Sequence, residues 1–182
     1  MKKRLRAWQL AGFVFTGVLG VLLHFLFDWS GQNLAVAPFA AVNESIWEHM
    51  KLLFFPMLVF ALAQRRVMRD NKSFWCIKLI GILLGTLLIP VLYYTIRGIS
   101  GVSPDWVNII IFFVAVAIAY WVETWIFSKN LVTCKAPGVA QLTLLLIAFV
   151  FVIMTFAPPH IPLFEDPGSG TYGYVKYTVY EK

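Results

Sequence analysis

Five long apolar segments divide this chain and leave little sequence between them for a water-soluble domain. They cover about residues 8–27, 44–63, 74–96, 105–127 and 138–157. A helix of roughly 20 apolar residues crosses a hydrocarbon core about 30 Å thick. Mean hydropathy is +0.77 and charged residues make up 13%, against about 25% in soluble domains. The sequence therefore predicts an all-α integral membrane protein, a bundle of five transmembrane helices.

The rest of the predicted organisation concerns the C-terminal tail and one short apolar segment. Residues 1–158 form the bundle, and residues 159–182 form a short extracytoplasmic tail packed on it. The tail alternates Tyr172, Tyr174, Lys176, Thr178 and Tyr180 after a Gly-Ser-Gly turn, a period of two that predicts a hairpin. Residues 34–42 are apolar but too short to cross, so we expect them to lie at the interface or to re-enter the membrane shallowly.

The distribution of charge predicts the orientation. With the N-terminus in the cytoplasm, ten basic residues fall on the cytoplasmic side: Lys2, Lys3, Arg4, Arg6, Arg65, Arg66, Arg69, Lys72, Lys129 and Lys135. The positive-inside rule then gives N-in and C-out in the inner, or plasma, membrane of a cell. The basic residues fit membrane lipids as partners, and nothing in the sequence indicates nucleic acid.

The most polar stretch of the chain stands at the start of the second apolar segment: Asn-Glu-Ser-Ile-Trp-Glu-His-Met-Lys, residues 43–51. We expect Asn43 to cap this helix and Glu44 to lie in its first turn, near the positive end of the helix dipole. On a helix, Glu44, Glu48 and Lys51 share a face. Two carboxylates four residues apart repel each other, so a bound cation between them is one interpretation and an ion pair with Lys51 is another.

All three histidines fall at the same predicted depth, at the outer ends of the first, second and fifth helices. Imidazole and carboxylate groups together suit a divalent metal such as zinc. The predicted metal ligands are His24, His49, His160, Asp28 and Asp166. We expect Glu44 or Glu48 to act as a general base and Lys51 to contact an anion or a headgroup. Without a metal, the same groups would form a proton relay or an ion-pair network.

The remaining polar residues of the apolar segments have simpler interpretations. Glu123, close to the inner interface, is expected to be solvated or paired with Lys129. Cys76 and Cys134 fall on the predicted cytoplasmic side, where thiols stay reduced, so no structural disulfide is expected.

Three groups of residues resemble a family of small bacterial multi-pass membrane proteins of unknown function. They are His24-x-x-x-Asp28, the segment from Asn43 to Lys51, and Pro159-His160-x-Pro162-x-Phe164-x-Asp166 with Gly170-x-Tyr172-Gly173. The resemblance implies a multi-pass fold and brings no activity. Asn43-Glu44 ahead of Trp47 and His49 is also similar to an element of the superfamily of haemolysin III, adiponectin receptors and alkaline ceramidases. Its members look like zinc-dependent lipid amidases, but their second histidine pair has no counterpart here.

Three functions are compatible with this pattern. The first is a metal-dependent hydrolase or transferase with a polar pocket at the extracytoplasmic face, acting on a lipid or another amphipathic substrate. The second is a small transporter or ion-coupled carrier, and the third is a non-enzymatic membrane interaction protein. The sequence contains no H-E-x-x-H, no G-x-S-x-G and no Walker loop.

Overall fold

The computed structural model of the chain describes residues 2–101 and 104–175, and in that part of the chain regular secondary structure is helical throughout. The helices are α1 (Lys2–Trp29), α2 (Ile46–Val67), α3 (Phe74–Ser100), α4 (Asp105–Lys129) and α5 (Pro137–Phe156). All five are long and apolar enough to cross a membrane. The prediction of a five-helix, multi-pass membrane protein is therefore confirmed.

The second helix occupies the centre of the bundle. In its most apolar window 72% of the residues are buried, against 22% in α5, which lies at the edge. Helix α2 contacts each of the other four helices. Large apolar side chains on the outer faces of α1, α3, α4 and α5 are exposed, as expected where lipid covers a spanning helix. The polar residues at the start of α2 are therefore held in the interior.

The bundle has two ends, which we name by the chain termini. The N-terminal end contains the start of α1 and the loops 68–73 and 130–136, and the C-terminal end contains residues 30–45 and 157–175. Most of the basic residues lie at the N-terminal end. The N-in, C-out orientation stays a prediction.

Helix α2 begins two residues later than predicted. Its cap is Ser45, whose hydroxyl accepts a hydrogen bond from the backbone N–H of Glu48 at 3.4 Å. Asn43 instead accepts from the Ser45 N–H at 2.9 Å, in a turn before the helix. The predicted Asn43 cap is therefore wrong, because the Asn43 side chain stabilises the preceding turn and Ser45 caps the helix. Glu44 lies outside the helix and does not share a helical face with Glu48 and Lys51.

The segment between α1 and α2 folds into turns against the bundle. Ala37 and Ala40 are completely buried, and the N–H of Ala41 donates to the Leu23 carbonyl of α1 at 3.3 Å. The carbonyl of Ala37 accepts a hydrogen bond from the Lys51 ammonium at 3.0 Å. Non-helical backbone is thus satisfied by protein groups, as it must be near a membrane.

The tail returns across the C-terminal end of the bundle. The N–H of Trp47 donates to the carbonyl of Leu163 at 3.0 Å, and the Trp47 ring packs against Phe164 with centroids 4.6 Å apart. The predicted hairpin is reduced here to a single antiparallel bridge between Glu165 and Tyr172. The rest of the tyrosine pattern, residues 176–182, lies outside the described residues.

Two expectations for the N-terminal end are wrong. Cys76 and Cys134 form a disulfide, because the loop after α4 passes the first turn of α3 and brings their Cα atoms within 5.8 Å. Glu123 is completely buried and pairs with Lys78 at 2.6 Å, not with Lys129. Neither pairing could be predicted from the sequence, because each joins residues that are far apart in the chain.

Candidate metal centre

Three side chains predicted as functional meet at the C-terminal end of the bundle. His24 lies about one turn before the end of α1, Glu44 immediately precedes the Ser45 cap, and His49 lies in the first turn of α2. One ligand atom from each residue lies within 4.8 Å of the other two. Because the cap excludes Glu44 from the helix, its side chain is directed to the two imidazoles. The structure thus assembles a group with the donor atoms of a metal site.

The two distances from the histidines to Glu44 are longer than a charge-assisted hydrogen bond and close to the spacing of metal ligands. The same oxygen of Glu44, Oε2, lies 3.5 Å from Nε2 of His24 and 3.6 Å from Nε2 of His49. A charge-assisted hydrogen bond is about 2.7–2.9 Å long. Ligand atoms bound at about 2.0–2.2 Å from the metal in a tetrahedral zinc site lie roughly 3.3–3.5 Å from one another. Both histidine nitrogens therefore lie at a ligand-like distance from one carboxylate oxygen, and all three candidate ligand atoms lie within 4.8 Å of one another.

A backbone carbonyl fixes the orientation of the His49 ring. Nδ1 of His49 lies 2.9 Å from the carbonyl oxygen of Ser45, one turn back along α2. A carbonyl oxygen only accepts, so the proton of this bond is on Nδ1. In the neutral ring this leaves the lone pair on Nε2, the atom that faces Glu44. An imidazole held in this way by a carbonyl is the usual arrangement around protein-bound metals.

The carboxylate of Glu44 is held in its ionised form. Its contact with the His24 imidazole, 3.5 Å away, does most to lower the pKa of Glu44 below the ordinary value of 4.5. Burial opposes this shift, and electrostatic attraction to both histidines adds to it. The side chain is 60% exposed, whereas His24 is 27% and His49 9% exposed. The carboxylate is therefore an anionic oxygen donor at neutral pH, within reach of solvent.

The group forms the polar wall of a cavity of about 500 Å³. The cavity lies between α1, α2 and α4, and the other lining residues are largely apolar or aromatic. A volume of this size, apolar walls and a few convergent polar groups are the features of a small-molecule site. The lining residues outside the triad are Gly20, Val21, Phe25, Leu52, Asn108, Ile109, Phe112 and Phe113.

The other three predicted metal ligands are not brought into this group. His160 is exposed and packs on the ring of Tyr172, with centroids 4.6 Å apart. Asp166 accepts hydrogen bonds from Ser169 and from the backbone of the following turn, so it stabilises the tail. Asp28 is exposed at the end of α1, one turn beyond His24. Of the five predicted ligands, His24 and His49 converge, and Glu44 joins them.

The predicted catalytic pair of Glu48 and Lys51 lies in a separate, buried ion pair. Nζ of Lys51 is 2.6 Å from Oε2 of Glu48, and the two side chains are 0% and 1% exposed. Lys51 also donates to the hydroxyl of Thr155 in α5 at 2.8 Å, and Glu48 accepts from the N–H of Val42. These bonds tie the turn segment and α5 to the central helix. A catalytic role for either residue stays a prediction.

A second polar cluster at the N-terminal end was missed. Glu123 accepts hydrogen bonds from Lys78 at 2.6 Å and from Gln9 at 3.2 Å, and Gln64 donates to Gln9 at 3.3 Å. All four side chains are buried. The sequence does contain a signal, because two glutamines, one lysine and one glutamate interrupt the apolar segments within seven residues of a helix end.

The fold and the site define a class: a multi-pass α-helical membrane protein with a histidine–glutamate group at one end of its bundle. More specifically, the chain belongs to a family of unknown function, DUF6512, whose model matches residues 1–174. No curated protein and no solved structure is significantly similar to the chain.

Proposed function

We propose that this protein is a metal-dependent membrane hydrolase or transferase in which His24, Glu44 and His49 hold a divalent cation such as zinc. The spacing of the two histidine nitrogens about one oxygen of Glu44 carries the proposal. Two histidines and a glutamate are among the donor sets of catalytic zinc sites, which keep a fourth position open. A cation held there would act as a Lewis acid and lower the pKa of water.

The surroundings of the group favour a lipid or another amphipathic substrate. The cavity beside it is mostly apolar and is formed by helices long enough to cross a membrane. We infer a plasma-membrane location with the N-terminus in the cytoplasm, because the basic residues are concentrated at the N-terminal end. The Cys76–Cys134 disulfide lies at the same end, where a reducing cytoplasm would keep both thiols free, so the charge asymmetry alone carries this orientation. In that orientation the histidine–glutamate group faces outward.

Zinc binding tests the proposal directly. The full chain, purified in detergent and stripped with a chelator, is titrated with zinc alone and its metal content measured after dialysis. We expect close to one equivalent in the wild type. Replacing His24 or His49 by alanine should weaken binding by more than the roughly 10- to 100-fold that loss of a hydrogen-bond partner of a ligand costs.

His160→Ala is the matched control, because this exposed imidazole packs on Tyr172 and lies outside the group. Its zinc affinity should equal that of the wild type. The proposal fails if the wild type binds no zinc, or if the three histidine variants bind it equally well.

A transport function is the second candidate, and the buried cluster at the N-terminal end favours it. Polar residues inside spanning helices often mark ion pathways. The Thr16–Tyr120 hydrogen bond, 2.9 Å long, adds a polar pair closer to the middle of the bundle than Glu123. In proteoliposomes loaded with a zinc-sensitive dye, transport predicts zinc entry that Glu123→Gln reduces. Entry no faster than in protein-free vesicles would exclude zinc transport.

A further inference from the structure

The cavity beside the histidine–glutamate group lies between α1 and α4, in the halves of these helices near the C-terminal end of the bundle. It is on a side of the bundle that faces lipid. Its apolar rim is exposed: Val21 is 41%, Phe25 45%, Ile109 58% and Phe113 36% accessible. These helices cross the membrane by length and composition, so what meets this rim is the lipid around the protein. The cavity is therefore reached sideways from the bilayer.

The shape of the cavity follows from a close helix contact below it. A Cβ at Gly20 would lie 2.5 Å from the ring of Phe112 and 2.8 Å from the carbonyl of Leu52, so only glycine lets α1 approach α4 and α2 there. Beyond this contact, toward His24 and Ile109, the space between the helices forms the cavity. The residues of this contact are apolar, and His24 and His49 lie about one helical turn from Gly20 and Leu52.

The depth of the polar group matches the boundary between lipid tails and headgroups. Helix α1 has 28 residues and is about 42 Å long, close to the 40–45 Å of a bilayer with its headgroup regions. His24 lies five residues before the end of the helix, roughly 8 Å along its axis. The linkage between an acyl chain and a headgroup lies at this depth.

We propose that the cavity is an acyl-chain site, which a membrane lipid enters sideways between α1 and α4 so that its chain lies against Val21, Phe25, Ile109 and Phe113 and its polar linkage lies at His24 and Glu44. This deepens the proposed function by naming the substrate class, and it rests on that function only for the chemistry at the linkage. Occupation of the cavity by the chain is a separate property that does not require metal.

Photocrosslinking tests the proposal in vesicles of phosphatidylcholine and phosphatidylglycerol. One preparation contains a phosphatidylcholine with a diazirine in its acyl chain, and the other contains a diazirine fatty acid, so that the two sources of a chain are compared. After irradiation, labelled residues are mapped by mass spectrometry. We expect phosphatidylcholine to label the cavity residues roughly tenfold more than the exposed outer face of α5 at Leu142 and Leu145.

A bulky substitution at the rim supplies the contrast. Ile109→Trp should reduce cavity labelling roughly tenfold by closing the opening, whereas Leu145→Trp on α5, 62% exposed in the wild type, should leave it unchanged. Phosphatidylcholine labelling of the cavity that is no stronger than that of α5 overturns the proposal, whatever the fatty acid does. Equal cavity labelling in the two tryptophan variants overturns it as well.

Zinc titration of the same samples separates the two proposals. Zinc binding with no preferential labelling overturns only the acyl-chain site. Preferential labelling without zinc binding overturns only the metal-dependent function.

Discussion

Removing the ammonium of Lys51 should destabilise the protein far more than removing an exposed lysine. The Lys51 side chain is 0% exposed and bonds Glu48 at 2.6 Å, Thr155 at 2.8 Å and the carbonyl of Ala37 at 3.0 Å. Lys51→Met leaves the Glu48 carboxylate buried with no cation beside it. Breaking a buried ion pair from one side costs about 3–5 kcal/mol, so we expect a loss of that size.

The double variant tests the cause of this loss. In Glu48→Gln with Lys51→Met the uncompensated charge is gone, while the amide oxygen still accepts from Val42, so it should be more stable than Lys51→Met alone by about 1–3 kcal/mol. Unfolding by a denaturing detergent in mixed micelles, followed by circular dichroism, measures the free energies. Exposed Lys129→Met is the control, expected within about 0.5 kcal/mol of wild type. A Lys51→Met variant as stable as Lys129→Met, or strictly additive effects in the double variant, would refute this reasoning.

Three further predictions concern other parts of the bundle. Gly81→Ala should cost about 1–3 kcal/mol in the same unfolding assay, because its Cβ would overlap the buried Glu123 carboxylate. Gly98→Ala has open space around it and should cost nothing, so equal stability of the two variants would contradict this prediction. The lowered pKa of Glu44 implies a contribution to stability that is present above pH 4.5 and is lost as the pH falls through the lower folded-state pKa. Glu44→Gln should remove this contribution from thermal unfolding midpoints measured over a series of pH values. A pH profile identical to that of the wild type would count against the ionised contact with the histidines. Reduction of the Cys76 disulfide, which spans 58 residues, should lower stability by about 2–4 kcal/mol, and reaction of both thiols with a maleimide in unreduced, denatured protein would show that the bond is absent.

The sequence predicts the depth of the polar site in the membrane, but it does not predict which residues form the site. Hydropathy fixes where each helix crosses, and that alone puts His24 and His49 at one level. The choice between Glu44 and Glu48 depended on where α2 begins, because each residue of a helix turns its side chain by about 100°. A cap at Ser45 releases Glu44 toward the histidines and leaves Glu48 beside Lys51 in the interior.

The sequence by itself determined that this chain forms five apolar spanning helices, because the transfer of a side chain into lipid depends on its own chemistry and on its near neighbours. The tertiary structure decided every pairing across the bundle. Lys78 meets Glu123 from 45 positions away, and Cys76 meets Cys134 from 58. Such pairs depend on which helices are neighbours and how each is rotated about its axis, and packing between whole helix faces sets both.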